Sequence, residues 1–373
     1  MKTSLIIDNI WDYRLPLYQK LSQLLGSMEF LLIKQKPSES LINSNLNYQI
    51  IPSKPRLLLT LLRRHQDIMI WGDAGSKKML SSIIDACICF LISRIRKIPF
   101  IIWFGGWEWR EKDHWQGIIG VIKRKASFIL FPILFKCADA IITYGNLHRR
   151  FYISLGISPE KISIAPNSSL IDTHINCNVE SIKRTIGINN NEKSILYVGR
   201  LTKRKNVDII IKSFYELRKT VKNVKLIIIG DGECKNSLQN LCKILGLERD
   251  VIFLGAIKRE SLPPYYMLCD VFVYPTSREP WGLAINEAMQ FGKPVIATPR
   301  VAATRDLVRD GINGYIVPER DPKALAEAIE RIITDEKLAR KMGRYSKKII
   351  RKFTYEAMAK GFKYAIEFAL KRG

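Results

Sequence analysis

The chain has no CxxC pair, no DxD triplet and no metal-ligand spacing among its four histidines. Zinc-finger scaffolds and carboxylate metal sites of the DxD kind are therefore not expected. Its seven cysteines are odd in number and scattered, which excludes a disulfide framework and predicts reduced thiols. No stretch reaches the roughly 20 apolar residues that span a bilayer. The nearest, Ile83 to Ile95, carries Asp85 and Arg94. The opening Met-Lys-Thr-Ser-Leu-Ile-Ile is too brief an apolar run for a signal peptide and reads as a strand. These absences together predict a cytoplasmic protein. Acid is also scarce: 35 Asp and Glu stand against 60 Lys and Arg, a net charge of +25 spread over both halves. Such a balance favours anionic partners: nucleotide diphosphates, lipid phosphates, an acidic membrane surface or nucleic acid.

What is present is apolar residue, 47% over 373 positions, enough for two cores. Short Val/Ile/Leu runs alternate with helical stretches. Strands are expected at 3–7, 29–33, 67–71, 99–103, 139–143 and 162–165. A second series is expected at 194–198, 225–229, 251–254, 271–274, 295–297 and 314–317. Continuous apolar strands belong to parallel sheets buried on both faces, so the fold class is α/β, doubly wound, twice over. A polar stretch, Asn167 to Asn178, reads as the connector. Thr354 is placed to cap a last helix.

The most informative segment runs from Ser277 to Gln290. It follows the strand at 271–274 and opens a helix near Gly282, with Glu279 and Glu287 bracketing that turn. Free N–H groups at a helix start suit an anion, and a carboxylate further in suits sugar hydroxyls. Upstream, Tyr197-Val-Gly-Arg-Leu-Thr-Lys-Arg-Lys-Asn206 delivers Arg200 and Lys205 to the carboxyl end of a strand, where ligands of open α/β sheets lie. Lys203 and Arg204 read as solvated. Ile229-Gly-Asp-Gly-Glu233 is a tight turn whose Gly230 and Gly232 admit close backbone approach, without the spacing of a dinucleotide fingerprint.

Taken together these residues resemble the family-4 retaining glycosyltransferases of GT-B architecture. The matching pieces are Gly199-Arg200 with Lys205-Asn206, Gly230-Asp-Gly-Glu233, Phe253-Leu-Gly255 and Pro275-Thr-Ser277. Glu279-Pro-Trp-Gly-Leu-Ala-Ile-Asn-Glu287-Ala-Met, Gly292-Lys-Pro-Val-Ile-Ala and Asp310-Gly-Ile-Asn-Gly314 complete the set. The resemblance implies two Rossmann-like domains facing a cleft. Residues 1–170 would bind the acceptor, residues 179–352 the nucleotide sugar, and the helix 354–371 would pack back on the first domain. It implies that Arg200 and Lys205 bind the donor diphosphate, Glu279 faces the donor sugar and Glu287 holds the ribose. Gly230, Gly232 and the backbone of Trp281, Gly282, Leu283 and Ala284 would line the donor. No cofactor and no metal are expected.

The first half departs from that pattern. Gly105 stands where relatives place a histidine, so Gly105, Gly106 and Glu108 are the acceptor-side candidates. Two basic-apolar stretches, Pro55–His65 and Lys123–Lys136, have the character of surfaces that touch anionic lipid, or of ordinary core-facing helices. The basic run Lys337 to Lys352 reads as a solvated helix face. The expected function is retaining transfer of a hexose from a nucleotide-diphosphate sugar to an acceptor hydroxyl, on a glycan or lipid-linked precursor of a surface polysaccharide. Peripheral contact with the inner face of the cell membrane is a further expectation, and no nucleic acid is expected. The rival readings are an epimerase or hydrolase of nucleotide sugars on the same fold, and a basic nucleic-acid or membrane-binding protein without catalysis.

Overall fold

The computed structural model describes residues 2–7, 12–33, 38–73, 79–105, 128–173 and 178–372. The chain divides into two compact units, Met1–Ser168 with Phe353–Gly373, and Ser169–Lys352.

The first unit is built on seven parallel strands: β1 (Lys2–Ile7), β2 (Ser27–Ile33), β3 (Tyr48–Ile51), β4 (Ile68–Asp73), β5 (Phe100–Phe104), β6 (Ala140–Thr143) and β7 (Ile162–Ile164). Their order is β3-β2-β1-β4-β5-β6-β7, so the winding reverses between β1 and β4. Phe-Ile-Ile-Trp-Phe of β5 is buried at every position, as a central strand covered on both faces requires. The strand β3 was not expected. It is short, lies at the sheet edge and is largely half-buried, and only its pairing with β2 defines it.

The helix Tyr355–Leu370 belongs to this unit. Thr354 caps it, accepting from the Ala357 N–H at 3.1 Å. Gly361 lets it lie against β7, because a Cβ there would stand 2.5 Å from the Ile164 carbonyl oxygen. Ser163 donates to the Gly361 carbonyl at 2.7 Å, and Phe362 meets the Trp103 ring edge-on at 4.9 Å.

The second unit repeats the design with six parallel strands: β8 (Lys193–Val198), β9 (Val224–Ile229), β10 (Val251–Gly255), β11 (Val271–Tyr274), β12 (Val295–Ala297) and β13 (Gly314–Ile316). The order is β10-β9-β8-β11-β12-β13, with the reversal between β8 and β11. A crevice at such a reversal is where open α/β sheets bind ligands. The expected strands are present to within two residues, because long apolar runs bounded by polar turns have few alternatives. In the helix Glu336–Ile350 the buried side is Met342, Gly343, Ser346 and Ile350, while Lys337, Lys341 and Lys348 are exposed.

Candidate active site

Two loops meet at the reversal of the second sheet. The first leaves β8 at Val198. Its course is held by the turn after β9: Gly199 N donates to the Ile229 carbonyl and Leu201 N to the Asp231 carbonyl, both at 2.9 Å. Gly230 (φ 144°) and Gly232 (φ 156°) make that possible. A Cβ on Gly230 would lie 1.9 Å from the Gly199 carbonyl oxygen, and one on Gly232 would lie 2.4 Å from that of Leu201. The close approach expected of a ligand at these glycines is thus made by the chain's own backbone, and their work is to seat the Arg200 loop. Arg200 is exposed, and among the described residues its side chain has no hydrogen-bond or ion-pair partner.

The loop tightens through a short 3-10 turn, Lys203–Lys205, and reaches Asn206 in the left-handed region (φ 52°). Asparagine tolerates this better than most residues. Its amide donates to the Pro275 carbonyl at 3.0 Å, and Ser277 N donates to the Arg204 carbonyl at 3.0 Å, so the loops after β8 and β11 are stitched together. Lys205 is thereby buried. Its Nζ lies 2.5 Å from Glu279 Oε2 and 2.6 Å from the Tyr274 hydroxyl. Arg204, expected to be solvated, turns inward: Nη1 donates to Glu279 Oε2 at 3.0 Å and to the Arg278 carbonyl at 2.8 Å. One carboxylate oxygen therefore faces two cations, while Oε1 has no partner among the described residues. Burial and the nearby Glu279 charge hold the Tyr274 phenol well above its ordinary range, with a smaller push from Glu287. Tyr197 stacks on Tyr274 at 6.1 Å.

The helix Leu283–Gln290 starts at Gly282, which sits at φ 102° with no side-chain cap. A Cβ there would meet Val301 at 2.9 Å, so the glycine serves both the turn and the packing. Among the described residues, the N–H groups of Gly282, Leu283 and Ala284 have no acceptor. They form the polar end of a helix dipole beside a cluster of cations. The Trp281 ring is buried and its Nε1 donates to Asn286 at 2.8 Å, so this residue anchors the helix start.

Glu287, one turn further along, is buried and fully engaged. Oε1 accepts from Ser169 Oγ at 2.9 Å and Arg259 Nε at 3.0 Å, and Oε2 accepts from the Tyr266 hydroxyl at 2.9 Å. Arg259 Nη2 continues to Ser169 Oγ and the Leu170 carbonyl, each at 2.6 Å. Nothing in the local sequence signalled Arg259, Tyr266 or Ser169 as partners. They are brought to Glu287 by the packing of segments far apart in the chain.

In the first unit, Gly105 closes the end of β5. A Cβ on it would fall 1.7 Å from the Tyr144 ring, so the ring occupies the space where a ligand was expected. Gly106 and Glu108 lie outside the described residues, as do 123–127 of the second basic-apolar stretch.

Comparison with known proteins bears on the family and the fold. Residues 178–349 match the family described as glycosyl transferases group 1. An uncharacterised glycosyltransferase of Methanocaldococcus jannaschii is 32% identical over 181 residues, 48% of this chain and 46% of its own. The capsular polysaccharide biosynthesis glycosyltransferase CapM of Staphylococcus aureus is 38% identical over 159 residues, 41% and 40% of the two chains. The chain thus spans less than half the length of these curated relatives. A crystal structure of HepE from Anabaena, in complex with UDP, has a TM-score of 0.79 at 17% identity, covering 98% of this chain and all of that one. The shared fold is GT-B, two Rossmann-like α/β domains.

Proposed function

From the premise that residues 178–349 form a glycosyl transferases group 1 domain, we propose that the protein is a retaining glycosyltransferase. It moves a hexose from a nucleotide-diphosphate sugar to a hydroxyl of a glycan or lipid-linked acceptor. The observation that carries this is the juxtaposition of buried Lys205 on Glu279, unpartnered Arg200, and three N–H groups without acceptors at the helix Leu283–Gln290. That is a site built for negative charge at one end and sugar hydroxyls at the other.

The donor would sit with its diphosphate against Arg200, Lys205 and the helix start. Glu279 Oε1 remains available to a sugar hydroxyl. For Glu287 to hold a ribose, the ribose hydroxyls must take the place of Ser169 or Arg259 on the carboxylate. In a retaining transfer the new bond forms on the face the nucleotide leaves. The departing phosphate can accept the acceptor proton, so the chain's main task is to stabilise charge developing on that phosphate. Side-chain cations suffice for this in our reading, and transfer should continue in the presence of a chelator. The HepE structure, solved with UDP, supports a uridine diphosphate donor as the first to try.

Replacing Arg200 or Lys205 by Ala should slow transfer by about 10²–10³, some 3–4 kcal/mol at the transition state. Transfer at the parental rate in both variants would end the proposal. An epimerase or hydrolase would instead release an isomer or free sugar with no acceptor present. A non-catalytic basic protein leaves the Lys205–Glu279 pair without a role.

The reading includes a cytoplasmic protein that touches the membrane surface. Among the described residues no helix is long and apolar enough to cross a membrane. The helix Lys54–Arg63 buries Leu57 and Leu61 and exposes Leu58, Leu59 and Leu62 beside Arg56 and Arg63. At 128–137, Phe131, Leu134 and Phe135 are buried while Ile129 and Ile133 are exposed. Each helix is thus both core-facing and outwardly apolar, which suits a headgroup layer. Sedimentation with anionic but not with neutral vesicles is the expected result.

A further inference from the structure

Arg14 is an interior cation that pairs with no acid among the described residues. It ends the 3-10 turn Asp12–Arg14, stands at the N-cap of the helix Leu15–Leu25 and is 4% exposed. Its Nη2 donates to the Tyr144 hydroxyl at 2.6 Å. The guanidinium carbon lies 4.8 Å from the Trp103 ring centroid and 5.5 Å from those of Tyr13 and Tyr144. Nε and Nη1 are buried and have no hydrogen-bond partner among the described residues. Among the described residues no carboxylate forms an ion pair with it; besides burial, the phenols of Tyr144, Tyr13 and Tyr18 are the main influences on its charge.

Arginine does not shed its proton in proteins, so the charge stays. Aromatic faces return part of the desolvation cost. An unpaired buried ion costs more than they return, and two orphaned N–H donors add to that. The arrangement is therefore incomplete as it stands. What completes it is an oxyanion, the group guanidinium binds best. Two further features favour the same occupant. The N-cap residue of the helix Leu15–Leu25 is Arg14 itself, whose side chain makes no capping bond, so the positive end of the helix dipole adds to the same charge. The cluster also gathers residues that follow β1 and β6 and one from the end of β5, beside the β1/β4 reversal of the first sheet.

We infer that Arg14 anchors an oxyanion-binding site in the first unit, with Trp103, Tyr144, Tyr13 and Tyr18 as its walls, taking a phosphate or carboxylate group of a ligand. Entry requires one ring of the cage to turn aside. The site itself does not depend on the transferase reading. Assigning the anion to the acceptor does, and predicts that the acceptor carries a phosphate or carboxylate.

The test uses the full chain with Arg200 and Lys205 replaced by Ala, which silences the proposed donor site. Thermal unfolding is followed while inorganic phosphate or acetate is titrated at constant ionic strength. A saturable rise in Tm is expected with at least one. A response to phosphate alone points to a phosphorylated ligand, and to acetate alone a carboxylate. Adding Arg14→Met should abolish the response and leave stability without anion equal or higher, because an unpaired buried charge has been removed. Arg14→Lys, which keeps the charge but not the planar donor set, should weaken binding at least tenfold and carries the test if the Met variant fails to fold. A response that survives both substitutions, or no response to either anion, overturns the inference. Failure of uridine diphosphate sugars to stabilise the parent chain, in which Arg200 and Lys205 are intact, would count against the donor site alone.

Discussion

Lys205 Nζ sits 2.5 Å from Glu279 Oε2, and the pair is shared with Arg204 on one side and the Tyr274 hydroxyl on the other. A buried ammonium in such a setting is held by its partner, so the two residues should not behave independently. A double-mutant cycle on Lys205→Met and Glu279→Gln, read by urea unfolding, should give a coupling of about 1–3 kcal/mol. Additive effects would mean that the pair is not formed in solution.

Gly230 is expected to be intolerant of any side chain. Alanine there would combine a φ of 144° with a Cβ placed on the Gly199 carbonyl oxygen. The loss should be about 3 kcal/mol in stability, with donor affinity falling as the Arg200 loop shifts. Gly246 is the control. It too has positive φ, but nothing lies near its Cβ position, so Gly246→Ala should cost about 1 kcal/mol and leave donor binding intact.

Glu287 and Arg259 should reveal themselves through an asymmetry. Removing the carboxylate with Glu287→Ala leaves Arg259 Nε and the Tyr266 hydroxyl without their acceptor, at a cost of about 3 kcal/mol. The isosteric Glu287→Gln, which keeps an acceptor oxygen, should cost less. If the ribose displaces Arg259, Arg259→Met should tighten donor binding while lowering stability. Weaker donor binding in that variant would instead make the arginine itself part of the donor site.

His148 should give the protein an acid-sensitive stability. Both ring nitrogens are buried without hydrogen-bond partners among the described residues, and burial lowers its pKa from 6.5 to about 4. The unfolded chain takes up a proton near pH 6.5 that the folded chain refuses until about pH 4. Stability from the neutral ring is thus complete above pH 6.5 and is lost progressively as pH falls through that window, by roughly 3 kcal/mol in all. Urea unfolding at pH 7.5 and 4.5 should show this drop in the parent and a smaller one in His148→Phe. Equal drops in both would assign the acid sensitivity elsewhere.

The parts of the site legible in the sequence were those tied to strand ends. Arg200, Lys205 and Glu279 follow β8 and β11 directly, so locating the strands located them. Arg204 was misread because a run of three cations looks solvated until the neighbouring loop supplies Glu279 and the Arg278 carbonyl. The roles of Gly230, Gly232 and Gly105 were legible only in part. Their lack of a Cβ shows in the sequence, but what fills the space does not: the Gly199–Leu201 backbone in one case and the Tyr144 ring in the other.

Local order followed from the chain itself. Apolar runs set both parallel sheets, and Thr354 and Asp335 cap helices through N–H groups three residues away. Tertiary structure alone decided that Glu287 meets Ser169 and Arg259, and that Arg14 meets Tyr144 across 130 residues of sequence. Strand and helix periodicity report which face of an element is buried, whereas the partner of a buried charge is chosen by whichever distant segment the packing brings within 3 Å, and no local pattern records that choice.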